Sequence, residues 1–174
     1  MSTSAKHTGF SLIEVVVAAG IFAVAVTVML ALLPALTRQS VESADALVAQ
    51  GLPDRLRVEL KRLAANDFSG LAGAIPVMGT LLDNGLLFVA SRDGSRLHSV
   101  GYLPPATSQL IPQEQRYFAI EAWRFNQGAL QFDGTGSVLV VYVRVSWPVS
   151  NPGSAAVTPL ADRSQLTFTL ALNR

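Results

Sequence analysis

Hydrophobic and polar positions divide this chain into three regimes. From Val15 to Leu36 the residues VVVAAGIFAVAVTVMLALLPAL run for 22 positions without a charge. An α-helix of that length reaches about 33 Å, enough to cross a hydrocarbon core of about 30 Å. Next comes a stripe, with Val41, Ala44, Val48, Leu52, Leu56, Leu60 and Leu63 spaced by three or four. That period marks one apolar face of an amphipathic helix, and Arg55, Arg57, Glu59, Lys61 and Arg62 supply its solvated side. Gly51-Leu52-Pro53 interrupts the stripe and predicts a kink or break, because proline has no N–H to continue the helical bonding. The stripe keeps its phase across that point, so both halves are expected to pack on the same surface.

Asn66–Gly85, punctuated by glycine, proline and asparagine, reads as a loop. Beyond it the period drops to two. Leu86–Ser91 and Arg96–Tyr102 flank Asp93-Gly94, a strong hairpin signal. Tyr117–Phe125 and Ala129–Asp133 flank Asn126-Gln127-Gly128 and predict a second hairpin. Val138–Trp147 alternates through Val141, Val143, Val145 and Trp147, and Gln165–Leu172 places Leu166, Phe168, Leu170 and Leu172 on one face. Asn151–Asp162 is a proline- and glycine-containing loop. The expected fold class is therefore α+β: a long N-terminal helix, membrane-spanning in its first half, packed on a C-terminal antiparallel sheet.

The residues before the apolar run are more specific. They read MSTSAKHTG and then FSLIEVVVAAG, with one carboxylate, Glu14, at the edge of the uncharged segment. A charge at membrane depth costs roughly 2.5–3.5 kcal/mol on insertion scales, and such residues are usually paired and functional. The plainer reading is an interfacial residue held by the positive end of a helix dipole. A Sec-type signal peptide would need a shorter apolar region ending at an Ala-x-Ala site. Ala23-Val24-Ala25 lies inside the run and Ala44-Asp45-Ala46 lies well beyond it.

The stretch Gly9-Phe10-Ser11-Leu12-Ile13-Glu14-Val15-Val16-Val17-Ala18 resembles the prepilin peptidase site of type IV pilins and type II secretion pseudopilins. The resemblance implies a short leader ending at Gly9, cleavage between Gly9 and Phe10, N-methylation of Phe10, and an assembly role for Glu14. It implies four regions: a leader at 1–9, a transmembrane and assembly helix at 10–36, a periplasmic amphipathic helix at 37–65 with its break near 51–53, and a β-rich domain at 66–174. Implied partners are other pilin-like subunits, the prepilin peptidase and an inner-membrane assembly platform. Implied localisation is the inner membrane, single-pass, with the C-terminal domain in the periplasm or carried into a filament. Ala31 stands where major pilins often carry a helix proline, with Pro34 three residues later, and no C-terminal cysteine pair exists. Both departures favour a minor subunit. The alternative is a membrane-anchored periplasmic binding domain that does not polymerise.

Physical chemistry gives the motif a reason. Cleavage would create an α-amine at Phe10, one helical turn from Glu14. Among packed apolar helices an unpaired carboxylate is costly, and a neighbour's amine would neutralise it. Sliding by one turn would strand both charges, so the pair would set register.

Composition narrows the rest. A chain of 174 residues has room for one modest domain and an appendage. Its formal charge of +1, with no basic cluster, gives no nucleic-acid footprint. Without cysteine there is no disulfide, thiolate zinc site or cysteine nucleophile. His98, the one histidine beyond the leader, reads as a surface or cross-strand residue rather than a catalyst. Asp133-Gly134-Thr135-Gly136-Ser137 reads as a turn. Asn151 and Asp162 fall short of a calcium ligand set. No catalytic residue, metal site or cofactor is expected, and the chain reads as no enzyme.

Overall fold

A computed structural model describes residues 11–79, 85–102, 110–134, 136–150 and 156–174. The chain divides into two compact units, Met1–Ala44 and Asp45–Arg174. Helix α1, Leu12–Asn66, contributes to both.

Within the first unit, α1 carries its apolar side chains outward. Leu12, Ile13, Phe22 and Met29 are all at least two-thirds exposed. The helix is long and apolar enough to cross a membrane. Its two threonine side chains are satisfied internally: Thr27 donates to the Ala23 carbonyl at 2.8 Å and Thr37 to that of Leu33 at 3.0 Å. Neither therefore requires water in an apolar surrounding.

The second unit is a helix-on-sheet domain. Its short helix α2 is Phe68–Ala74, and its strands are β1 Leu86–Ala90, β2 Leu97–Ser99, β3 Phe118–Arg124, β4 Val138–Trp147 and β5 Ser164–Asn173. They form one antiparallel sheet in the order β2-β1-β3-β4-β5. Ala49, Leu52, Leu56, Leu60 and Leu63 of α1 are buried with Phe88, Ala90, Ile120, Ala122, Val141, Val143, Val145, Leu170 and Leu172 of the sheet. The period-two pattern of β4 is thus realised, its odd-numbered valines pointing at the helix. Asp93-Gly94 forms the expected turn: Gly94 has φ 66° and donates its N–H to the Ser91 carbonyl at 2.8 Å. A Cβ there would also sit 3.0 Å from Val48 Cγ1, so glycine answers both to the backbone and to the helix beside it. The Asp93 carboxylate accepts from the Ser91 hydroxyl and the Ser95 N–H, which holds it down at a pKa of about 2.

Four expectations need correction. No break occurs at Gly51-Leu52-Pro53: α1 is helical through all three residues. An interior proline costs about 3 kcal/mol, whereas burying one leucine contributes about 1.5–3 kcal/mol. Four leucines on the stripe outweigh the lost bond. The stripe itself begins at Asp45 and Ala49, both buried, while Val41 and Ala44 are exposed in the other unit.

The Asn66–Gly85 loop contains α2, capped by the Asp67 side chain accepting from the Gly70 N–H at 2.8 Å. Its two glycines disguise a helix that exists to bury Phe68, Leu71 and Ala72. The second hairpin is absent. Gly128–Leu130 is a 3-10 turn, and β3 pairs with β4 instead, Ile120 opposite Val145 and Ala122 opposite Val143. Phe132, expected on a strand, packs edge-to-face on Phe68 at 5.8 Å.

If the leucine stripe carries the fold, Leu56→Ala in the Asp45–Arg174 unit should lower unfolding free energy by about 2–5 kcal/mol in urea titration. Val58→Ala on the same helix, at a 69% exposed position, should change it by no more than about 0.5 kcal/mol.

Candidate functional site

Gly9 and Phe10 lie outside the described residues. Glu14 lies within them and has a defined local role. Its carboxylate Oε2 accepts the Ser11 backbone N–H at 2.9 Å, while the Ser11 carbonyl accepts from Glu14 N at 3.0 Å and Val15 N at 3.3 Å. Ser11-Leu12-Ile13-Glu14 thus supplies the glutamate half of a capping box, in which the third helical residue reaches back to the cap N–H. The negative charge also sits against the positive end of the helix dipole. Both features hold the only acidic side chain of the first turn at the mouth of an uncharged helix.

Where α1 enters the second unit, a polar cluster replaces the first apolar position of the stripe. Asp45 is 6% exposed. It accepts the Tyr117 hydroxyl at 2.6 Å and the Arg92 guanidinium at 3.2 and 3.4 Å. Arg92 also lies 4.9 Å over the Tyr117 ring. Burial, followed by the Asp45 bond, pushes the Tyr117 phenol up to about 12, while Arg92 opposes that rise. Asp45 in turn raises the Arg92 guanidinium. Three elements meet here: α1, the turn after β1, and the residue before β3. The sequence does not show this cluster, because its members lie 47 and 72 positions from Asp45.

His98 is a cross-strand residue, opposite Val89, and is buried rather than on the surface, at 3% exposure. Its Nε2 accepts the Ile111 N–H at 3.2 Å, so Nδ1 carries the proton and donates to the Ser99 carbonyl at 2.9 Å. The imidazole ties the segment before β3 to β2, which is a structural task. On the sheet face away from α1, Arg144 and Glu121 stand opposite each other and pair at 2.7 Å, with Arg144 5.0 Å over Trp123. The same face carries a cleft of about 570 Å³ floored by Leu87, Val89 and Ala119 and edged by Glu114, Arg116 and Arg163.

Gly134, with φ 83°, makes Asp133–Ser137 the expected turn, although Thr135 lies outside the described residues. Asn151 is likewise outside them, and Asp162 ends a 3-10 turn. Among the described residues no group of three or more histidines and carboxylates converges as a metal site.

Residues 4–30 match the family model of the prokaryotic N-terminal methylation motif. The match brackets Gly9, Phe10 and Glu14 and ends inside the uncharged helix. No curated protein and no solved structure matches the chain.

The raised phenol gives a measurable signature. A spectrophotometric titration at 295 nm should show one tyrosine ionising near pH 12, lowered in Asp45→Asn but still above 10, since burial persists. Because the folded value lies above the ordinary 10.0, the stability it contributes is intact below pH 10 and drains away as pH rises towards 12. A titration of all tyrosines at pH 10 would show that the Asp45–Tyr117 contact does not persist in solution.

Proposed function

Because the chain carries the N-terminal methylation signature of type IV pilins and pseudopilins, we propose that it is a minor pilin or pseudopilin, a structural assembly subunit rather than an enzyme. In this reading prepilin peptidase removes 1–9 between Gly9 and Phe10 and Phe10 is N-methylated. Helix 10–36 anchors the protein once in the inner membrane, and the Asp45–Arg174 unit stands in the periplasm. Other pilin-like subunits and the assembly platform then draw it into a type IV pilus or type II secretion pseudopilus. The observation that carries this reading is the methylation motif set directly against an uncharged helix with Glu14 in its first turn.

Glu14 joins two roles. In the single chain its carboxylate caps Ser11. In a bundle of apolar helices it would face the Phe10 amine of a neighbouring subunit, and its second oxygen leaves room for both bonds. Register then follows from charge, because a slip by one turn buries an amine and a carboxylate alone. A second reading, a membrane-anchored binding domain that does not polymerise, is favoured by the cleft over Leu87, Val89 and Ala119. That reading needs no glycine–phenylalanine junction and no carboxylate at Glu14.

Intact mass of the membrane-extracted protein should show loss of Met1–Gly9 and gain of one methyl group. A mature start near Ala25 or Ala46 would sink the reading in favour of a Sec-type signal peptide.

Glu14→Gln separates cap from charge, since glutamine also serves as the third residue of a capping box. Processing should stay intact on a gel shift, because the peptidase reads the glycine junction. Incorporation into sheared filaments should fall by several hundred-fold, as breaking a buried pair from one side costs about 3–5 kcal/mol. Normal incorporation of the processed variant would reduce Glu14 to a helix cap.

A further inference from the structure

The sheet face away from α1 is only partly covered, and what covers it leaves a hollow. Beyond β4, Val149 donates its N–H to the Tyr117 carbonyl at 2.9 Å, and its own carbonyl accepts the Thr158 N–H at 2.8 Å. These bonds hold Val149, Val157 and Leu160 as a wall of the cleft floored by Leu87, Val89 and Ala119. Val157 is 58% exposed and Leu160 38% exposed, so that wall presents apolar surface that the described chain leaves to solvent. The cleft volume of about 570 Å³ falls in the range of small-molecule sites, about 300–1,000 Å³, which combine an apolar lining with a few polar groups.

The polar groups are two arginines, and among the described residues neither has a carboxylate within ion-pair distance. Arg163 Nε donates to the Thr158 carbonyl at 2.8 Å and its Nη1 to the Ser146 hydroxyl at 3.3 Å. Arg116 Nε donates to the Ile111 carbonyl at 3.1 Å. Neutral oxygens thus engage one or two of the five N–H groups that each guanidinium carries. Burial pulls the half-buried Arg163 below its ordinary value, with Glu121 opposing the fall and Arg144 adding to it. Glu121 is already committed, because its Oε2 accepts from Arg144 Nε at 3.0 Å and Nη2 at 2.7 Å. A partly buried cation without a counter-charge is stabilised by a carboxylate that reaches it with charge-assisted hydrogen bonds.

We propose that the cleft binds an aliphatic monocarboxylate, its hydrocarbon chain lying over Leu87, Val89 and Ala119 and its carboxylate accepting from Arg163, with Arg116 adding positive charge. The apolar floor selects the chain and the uncompensated guanidiniums select the charge. One negative charge suits the site better than two, because Glu114 and Glu121 also line it and would repel a second. A peptide suits it less. The cleft lies on the face of the sheet rather than at its edge, and the floor strands already pair with their neighbours. A peptide's N–H and C=O groups would therefore lose water without gaining a ladder. The inference concerns the globular unit and holds whether or not the protein polymerises, so its failure leaves the reading of the N-terminal motif standing.

The test uses full-length protein in lipid nanodiscs and an alkyl carboxylate bearing a diazirine. On irradiation it should label peptides containing Val89, Ala119 or Leu160, identified by mass. Octanoate should suppress that label, whereas octanamide, which keeps the chain but not the charge, should need about ten-fold or more higher concentration. This comparison requires no variant. Arg163→Gln should weaken suppression by octanoate about ten-fold and leave octanamide unchanged, a pattern that misfolding would not give. Ala119→Leu, which fills the floor, should remove the label from the cleft peptides. Labelling of the apolar helix alone overturns the proposal. Equal suppression by octanoate and octanamide makes the cleft a hollow for any apolar chain and overturns carboxylate recognition. Suppression by an apolar tetrapeptide with a free C-terminus, and none by octanoate, assigns the cleft to a peptide end and overturns the ligand class.

Discussion

The burial of one leucine stripe on one sheet face is the interaction on which the Asp45–Arg174 unit depends. Leu52, Leu56, Leu60 and Leu63 are each essentially inaccessible, and they meet the inward residues of β1, β3 and β4. The rest of the unit serves that contact. α2 adds Phe68 and Leu71 to its margin, and the Asp93-Gly94 turn lies so near Val48 that a Cβ on Gly94 would stand 3.0 Å from its Cγ1. Arg55 donates to the Gly94 carbonyl, fastening the same turn to the helix from the polar side. The stripe is also why Pro53 does not end α1: the energy of four buried leucines exceeds that of one missing hydrogen bond.

Polar groups are placed where that apolar contact begins and where the chain enters its uncharged segment. At the start of the stripe, Asp45 takes an inward position and is satisfied by Tyr117 and Arg92. A buried carboxylate is tolerable only with such partners, and the same requirement makes the contact selective for one docking of helix on sheet. At the start of α1, Glu14 is satisfied by the cap N–H of Ser11. Each acid answers to groups its own fold supplies.

A helix apolar on all sides and a helix apolar on one stripe are joined in one 55-residue element. Among the described residues the first half keeps its apolar side chains exposed, a surface suited to lipid or to other apolar helices. The second half is already covered. Among the described residues the apolar helix surface and the β5 edge are both left uncovered, and they differ in kind. One is an apolar helix surface with a single acidic side chain in its first turn. The other is backbone hydrogen bonding along an uncharged strand.

The uncharged run, the glycine–phenylalanine junction, Glu14, the leucine period and the alternation of β4 are written in local spacing, and they determined the α+β class and the methylation signature without any coordinates. Each depends on residues within one or two turns or on neighbours along one strand. What only the tertiary structure decided depends on distant competition. Ala129–Asp133 lost its strand because β4 offered β3 a longer run of buried valines, and Phe132 found Phe68. Phe68–Ala74 became a helix despite two glycines because its apolar face had a core to enter. Gly51-Leu52-Pro53 stayed helical because leucines on both sides were held by the sheet. Asp45 joined Arg92 and Tyr117, and His98 joined Ile111, across separations that no periodicity encodes. Local pattern fixes what a segment is able to be; burial and pairing energies, summed over contacts far apart in sequence, select which of those states it adopts.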